Sequence, residues 1–205
     1  MIAAGLSEAG GEDAGGPDRP DAQLVAAVAR GDAAAFRILL ERHSGAIHRL
    51  AYRMVGQASE AEDVTQETFV RLWTGAAAWR PDRGGGLSPW LRRVATNLCL
   101  DRLRRRKRLS DGPVPERVDE RARPDADLMA RSLAEIAAAA VASLPDRQRA
   151  AIVLTYYEGL PNAAAAEAMQ MNVKALESLL VRARVALRAA MVAADLHPAD
   201  FAEVR

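Results

Sequence analysis

Apolar residues return along this chain at helical intervals. Phe36, Leu39, Leu40, His43, Ile47, Leu50, Ala51 and Met54 repeat at i, i+3, i+4 and i+7, which predicts a long amphipathic helix. A shorter helix with Leu24, Val25 and Val28 precedes it and is closed by Gly31. Gly56 stops the long helix, and Ser59 with Glu62 resembles a capping box that opens the next. That third helix carries Ala61, Val64, Thr68 and Leu72 on one face, with Phe69 and Trp73 beside it. After a loop at Arg80–Gly86, Ser88 is placed to cap a fourth helix with Pro89 at its first position. Leu91, Val94, Ala95 and Leu98 form the stripe of that helix, and no segment shows the sustained alternation of a strand.

The pattern breaks at residues 111–127, DGPVPERVDERARPDAD, where three Pro, six acids and three Arg leave almost nothing to bury. Helical spacing resumes at Leu133, Ile136, Ala137, Ala140, Val141 and Leu144. Pro145 then opens a helix carrying Ile152, Val153 and Tyr156 and ending near Gly159. Two more pieces come after it, Asn162–Met169 and Val173 to about Met191. The predicted fold is all-α: two small helical domains joined by a flexible acidic linker, the second containing a helix-turn-helix. The predicted boundaries are a disordered tail at 1–21, a first domain at 22–110, the linker at 111–127, a second domain at 128–192 and a C-terminal tail at 193–205.

The helix-turn-helix rests on residues 162–188. Gln170-Met171-Asn172 makes the turn, and Asn172 is a suitable cap for the second helix. On a helical wheel Val173, Leu176, Leu180, Ala183 and Leu187 gather on one side, while Lys174, Ser178, Val181, Arg182 and Val185 fall opposite. The second group offers long donors, a small hydroxyl and an apolar contact, the side-chain types that read base edges in a major groove. Arg184 and Arg188 lie further round and suit phosphates. A solvated helix face of an ordinary bundle is the plainer alternative.

Composition adds little until its distribution is considered. Lys and Arg total 28 against 27 Asp and Glu, a net charge of +1. Yet residues 88–110 carry eight Arg/Lys against one Asp, whereas residues 57–72 carry four acids against one Arg. A cationic and an anionic segment in one chain imply two different partners. Six of the seven residues Arg102–Arg108 are cations, and so many adjacent like charges are most economically explained by a polyanion. Trp79 and Trp90 flank the loop before this helix and suit either a small core or unstacked bases.

The one cysteine, Cys99, excludes an internal disulfide and reads as a small buried residue. His43, His48 and His197 show no paired metal spacing, with His43 placed in the core, and Gly84-Gly85-Gly86 lacks the Lys-Ser/Thr of a phosphate loop. No catalytic residue, metal or cofactor is therefore expected. No apolar run approaches the ~18 residues of a membrane span. The N-terminal residues lack the basic flank and apolar stretch of a secretory signal.

Asp63-Val64-Thr65-Gln66-Glu67-Thr68-Phe69-Val70-Arg71-Leu72-Trp73 closely resembles the D-x-x-Q-E-x-F-x-x-x-W stretch of sigma-70 family factors. Tyr52-Arg53-Met54-Val55-Gly56 and the helix Trp90-Leu91-Arg92-Arg93-Val94-Ala95-Thr96-Asn97 extend the resemblance. Leu144-Pro145-Asp146-Arg147-Gln148-Arg149, Glu158-Gly159-Leu160 and Val181-Arg182-Ala183-Arg184 resemble the second sigma domain. The short linker points to the extracytoplasmic-function (ECF) group.

The resemblance implies a sigma factor that binds core RNA polymerase and directs promoter-specific transcription. It implies a contact with the β′ clamp helices through Asp63, Gln66, Glu67 and Arg71. It implies −10 DNA contacts from the loop and basic helix, with Arg93, Asn97, Arg102, Arg104, Arg105, Arg106 and Lys107 as the candidates. The second domain would bind the β flap and read −35 DNA through Lys174, Ser178, Val181, Arg182, Arg184 and Arg188. Two positions depart from the family: Leu179 stands where a cation is frequent and Gln170 where a small residue, often Gly, is frequent. Leu179 is therefore expected to pack. An anti-sigma factor is a further expected partner, and a cytoplasmic location is implied, with that factor able to hold the chain at a membrane. Two other readings are a sigma-mimic adaptor that titrates an anti-sigma protein and an ordinary helix-turn-helix regulator. The first sits poorly with cations kept at both DNA sites, and the second with the Gln66-Glu67-Thr68-Phe69 helix.

Overall fold

The computed structural model describes residues 19–80, 86–109 and 136–193, and every regular element among them is helical. The linker at 111–127 lies outside the described residues, as do nearly all of both tails. The first unit comprises α1 (Asp21–Val28), α2 (Ala33–Val55), α3 (Ala58–Gly75) with a 3-10 turn at Ala76–Ala78, and α4 (Leu87–Leu109). The second comprises α5 (136–142), α6 (Asp146–Ile152) running into a π turn at Val153–Tyr157, α7 (Asn162–Ala168) and α8 (Val173–Ala193).

Local chemistry sets the ends of these helices. Gly31 takes a φ of 89° after α1, and the Asp32 amide returns to Ala27 O, a closure that needs a left-handed residue. Asp32 then caps α2, its Oδ1 accepting from the amides of Ala34 at 2.9 Å and Ala35 at 3.0 Å. At the other end Gly56, with φ 75°, turns the chain and donates its amide to Tyr52 O. Gln57, extended, leads directly into α3. The capping box expected of Ser59 and Glu62 is not formed, because Gly56 and Gln57 complete the connection and leave Ser59 already inside the first turn. Ser88 likewise lies inside the first turn of α4, where its hydroxyl accepts from Arg92.

The predicted stripes become the core. Leu24, Leu39, Leu50, Met54, Val64, Leu72 and Leu91 are fully enclosed where α1, α2, α3 and α4 meet. Phe36 bridges α2 and α3, with its ring edge-on to Trp73 at 5.0 Å and to Phe69 at 6.3 Å. In the second unit Leu144, Ile152, Val153, Leu154, Leu176, Leu180 and Ala183 are buried. The two sets form one continuous apolar cluster, with α4 against α6 and α7 and the end of α2 against α6 and the π turn.

Three expectations about burial also need correction. His43 is half-buried and not fully enclosed: its Nε2 lies 2.7 Å from Asp21 Oδ2, and Arg42 reaches the other oxygen of Asp21, so the pair pins the start of α1 to α2. Tyr156 is 61% exposed, because the π turn widens the helix and carries that position off the apolar side. Val173 is exposed at the mouth of α8, one turn before the enclosed Leu176. Leu179 packs, as its place beside the apolar side implied.

Cys99 is wholly enclosed, and burial pushes its thiol up to about 12 from 9.0 despite the opposing influence of Arg102. The native protein should therefore resist iodoacetamide at pH 8 and become labelled only in denaturant. The folded state holds the proton after the unfolded chain has lost it. Stability should thus fall by about 1.4 kcal/mol per pH unit above pH 9, the change ending near pH 12. Urea melts across that window, compared with Cys99→Ala, check the sign; equal slopes for the two proteins would contradict it.

Candidate functional site

The acidic segment becomes one exposed face of α3. Asp63, Gln66 and Arg71 are exposed and Glu67 is half-buried, and the spacing of three and four residues places them along one side of the helix. Glu67 Oε1 accepts from Arg71 Nε at 3.0 Å. Asp63 Oδ2 lies 3.1 Å from Arg102 on α4. The same surface exposes Val70 at 47% and Trp73 at 40%. Neither is assigned to a contact from the sequence, where Trp73 is placed beside the apolar face; its ring packs edge-on against Phe36 at 5.0 Å. The face therefore joins carboxylates to apolar side chains, the combination a protein partner needs more than a nucleic acid does.

The basic segment is the last third of α4, but its cations are not equivalent. Arg102 pairs with Asp63, and Arg104 pairs with Asp101 at 2.6 Å. Arg106 turns inward and donates to Val55 O at 3.4 Å, across the end of α2. Arg105, Lys107 and Arg108 stay exposed, with no carboxylate partner among the described residues. The seven candidates named for this region thus divide by role. Arg105 and Lys107 face solvent, as does Arg104 beyond its pairing. Arg102 and Arg106 are partly committed to the fold. Arg93 and half-buried Asn97 lie earlier on α4, and Arg93 Nη1 is 3.3 Å from Glu167 on α7.

The helix-turn-helix forms as anticipated in outline. α7 ends in a turn where Gln170 takes a φ of 53° and the Met171 amide returns to Ala166 O. Asn172 Oδ1 accepts from the Ala175 amide at 2.8 Å and so caps α8. Lys174, Ser178, Val181, Arg182, Arg184 and Arg188 are all exposed on α8. Ser178 donates back to Lys174 O, and the Arg182 and Arg184 side chains lie along the helix, donating to Ser178 O and Leu180 O. Small side chains at Ala165, Ala166 and Ala168 let α7 approach its neighbours closely.

Between the two units runs a cleft of about 370 Å³, lined on one side by Trp79, Trp90 and Arg93 and on the other by Leu160, Ala163, Ala164 and Glu167. Beside it Glu158, its side chain only 9% exposed, meets two guanidinium groups: Arg92 Nε at 3.1 Å and Arg53 Nη1 at 3.6 Å. Arg53 also covers the ring of Tyr157 at 4.8 Å. Arg149, buried, donates to Leu144 O at 3.1 Å in its own unit and to Met54 O at 2.8 Å in the other. The contacts between the units are not visible as a sequence pattern, because Arg92 and Glu158 stand 66 residues apart and Met54 and Arg149 stand 95 apart. Among the described residues no group of His, Cys, Asp or Glu is placed to hold a metal ion, and no helix is long and apolar enough to cross a membrane.

Comparison with known proteins agrees with this geometry. The family model for Sigma-70 region 2 matches residues 39–109, and that for Sigma-70 region 4 matches residues 132–187. ECF RNA polymerase sigma factor SigM of Mycobacterium tuberculosis is 37% identical over 172 residues, covering 83% of this chain and 84% of its own length. ECF RNA polymerase sigma factor SigW of Bacillus subtilis is 30% identical, covering 78% of this chain and 91% of its own. SigE of Mycolicibacterium smegmatis is 36% identical, but the match spans only 59% of that relative. Among solved structures, CnrH in complex with the cytosolic domain of CnrY aligns with a TM-score of 0.60 and 31% identity, over 84% of this chain and 97% of that one. RpoE in complex with the anti-sigma factor NepR from Bartonella quintana aligns with a TM-score of 0.62 and 25% identity, over 76% and 96%.

The turn before α8 gives a direct test of its backbone. Gln170 occupies the position after α7 where a left-handed residue is required and a Cβ is unfavourable. Gln170→Gly should stabilise the fold by up to about 1 kcal/mol, and Gln170→Val should destabilise it by about 1–2 kcal/mol. Thermal melts of the two variants should move in opposite directions from the parent.

Proposed function

Because the chain belongs to the ECF group of sigma-70 family RNA polymerase sigma factors, proteins that bind core polymerase and direct it to promoters, we propose specific roles for its surfaces. The observation that supports them is the division of charge between two packed helices. α3 turns carboxylates with Val70 and Trp73 to solvent, and α4 turns Arg104, Arg105, Lys107 and Arg108. α3 takes the β′ clamp helices through Asp63, Gln66, Glu67 and Arg71, with Val70 and Trp73 as its apolar contacts. α4 takes −10 DNA, with Arg105 and Lys107 on the backbone and Arg93 and Asn97 nearer the melted bases. The second domain takes the β flap and −35 DNA. There Lys174, Ser178, Val181 and Arg182 face base edges, and Arg184 and Arg188 hold phosphates.

We place the domain boundaries at 22–110 and 128–192, with the acidic segment 111–127 as the connection. The Bartonella relative is solved with an anti-sigma factor, and a partner of that kind, soluble or membrane-held, is the expected regulator here. The working location is the cytoplasm, where polymerase and promoter DNA are found. The exposed cations on α4 and α8 speak against a pure titration decoy, which has no use for them.

Two experiments check these assignments. Asp63→Lys together with Glu67→Lys should weaken binding to core polymerase by roughly tenfold or more while the circular dichroism stays helical, since both sites are largely solvent-facing. Unchanged affinity would remove α3 from the interface. In run-off transcription, open-complex formation should fall steeply with salt. Replacing Arg105, Lys107 and Arg108 by Ala should reduce the log–log slope by about 2–3, near 0.9 for each phosphate no longer neutralised. Arg106→Ala should instead lower the melting temperature and leave the slope nearly intact, because that side chain is spent on Val55 O.

A further inference from the structure

The exposed side of α8 has an apolar centre. Val181 is 54% exposed and Val185 is 66% exposed, one helical turn apart. At about 100° per residue, Arg182 and Arg184 stand about 80° to either side of the line joining the two valines. Lys174 and Ser178 precede the valines on the same side, and Arg188 follows them. Cations therefore flank an apolar strip. That arrangement suits a duplex groove, which has phosphates along both walls and base edges on its floor. It does not suit a second copy of α8, because Lys174, Arg182, Arg184 and Arg188 stand against one acid, Glu177.

The polar side chains of this face are turned onto the helix itself. Ser178 Oγ donates to Lys174 O at 3.0 Å, Arg182 Nε to Ser178 O at 3.2 Å and Arg184 Nε to Leu180 O at 3.3 Å. The valines are left as the outward groups of the centre. A purely solvated face gains nothing from them: β-branched residues lower helix propensity, and their apolar area stays in water. The same branching fixes χ1 in a helix, so their methyl groups are held in place before any contact is made. Four residues of helix rise about 6 Å, against about 3.4 Å for one step along a DNA strand, so the pair covers about two base steps. The apolar group that a base edge offers in the major groove is the 5-methyl of thymine.

We infer that Val181 and Val185 are the thymine-reading residues of α8: each packs against the 5-methyl group of a thymine in the −35 element, the two thymines lying one or two steps apart. Val185 thereby joins the residues that determine specificity. The inference rests on the assignment of α8 to −35 DNA and adds the chemical group that the helix reads. A methyl contact has its own signature. Uracil presents the same donors and acceptors as thymine and lacks only the methyl, so hydrogen-bonding side chains do not tell the two apart and an apolar contact does.

The test uses the full chain with core polymerase. This holoenzyme selects a promoter from fragments randomised over the −35 element, and the selected duplex is rebuilt with deoxyuridine in place of thymidine at one −35 position at a time. Selection should return thymine at two positions. Deoxyuridine at either should weaken holoenzyme binding about fourfold, the scale of burying one methyl group. Val181→Ala and Val185→Ala keep the helix, since both sites are exposed and Ala is the stronger helix former. Each should bind the thymidine promoter less tightly and lose the thymidine–deoxyuridine difference at one position while keeping it at the other. Val192→Ala, on the same strip and 53% exposed but about 16 Å beyond Val181, should leave both differences intact. Equal binding of the two promoters by the parent overturns the inference. So does a difference that survives both substitutions, or one that is lost in Val192→Ala. The underlying assignment fails in another way. If Arg182→Ala shifts the −35 preference while deoxyuridine is tolerated, α8 remains the −35 helix and the methyl contact alone falls. If no α8 variant moves the −35 preference, the assignment of the helix falls with it.

Discussion

The end of α2 is where the structure is tied together. A helix leaves its last carbonyls without partners, and when the end is buried those oxygens must find donors in the protein. Here Gly56 swings its own amide back to Tyr52 O. Met54 O takes Arg149 from the second domain, and Val55 O takes Arg106 from the far end of α4. Both donors are cations, which also suit the negative end of the helix dipole. One helix terminus thereby fixes the direction of α4 and the seat of the second domain.

That anchor also arranges the charged surfaces. With α4 held against α2 and α3, Arg102 reaches Asp63, while Arg105, Lys107 and Arg108 stay exposed with no carboxylate partner among the described residues. Opposite charges on neighbouring helices would otherwise neutralise each other. Among the described residues the Asp63–Arg102 pair joins α3 to α4 between an acidic, partly apolar face and a basic one. The same fold that buries Leu50 and Leu91 therefore sorts the surface for a protein and for a polyanion.

Much of this was legible in the sequence. The stripes at Leu39–Met54 and Leu91–Leu98 are buried as their spacing implied, and Asn172 caps α8. The charge runs and the Gln66-Glu67 motif pointed to the family that the comparisons bear out. What the sequence hid has two physical causes. Some residues serve two purposes: Trp73 has helical core spacing yet leaves a face in solvent, and His43 sits on an apolar stripe yet binds Asp21. Others depend on contacts far apart in the chain. Nothing in the run Arg102–Arg108 distinguishes Arg106 from its neighbours until the end of α2 is placed beside it. Likewise Glu158 reads as a turn residue until Arg53 and Arg92 surround it.

The π turn at Val153–Tyr157 acts as a phase shifter in the chain. Each such turn takes in one residue more than an α-helical turn, so the downstream backbone is rotated by about 100° relative to a regular continuation. Closing it into a regular α-helical turn at unchanged length would put Tyr157 in the direction now held by Glu158 and aim the entire helix-turn-helix elsewhere. Chimaeras that exchange second domains between related chains should therefore place their junction before Val153, so that the turn travels with the helices whose orientation it sets. A junction inside the turn would join two correct halves out of phase.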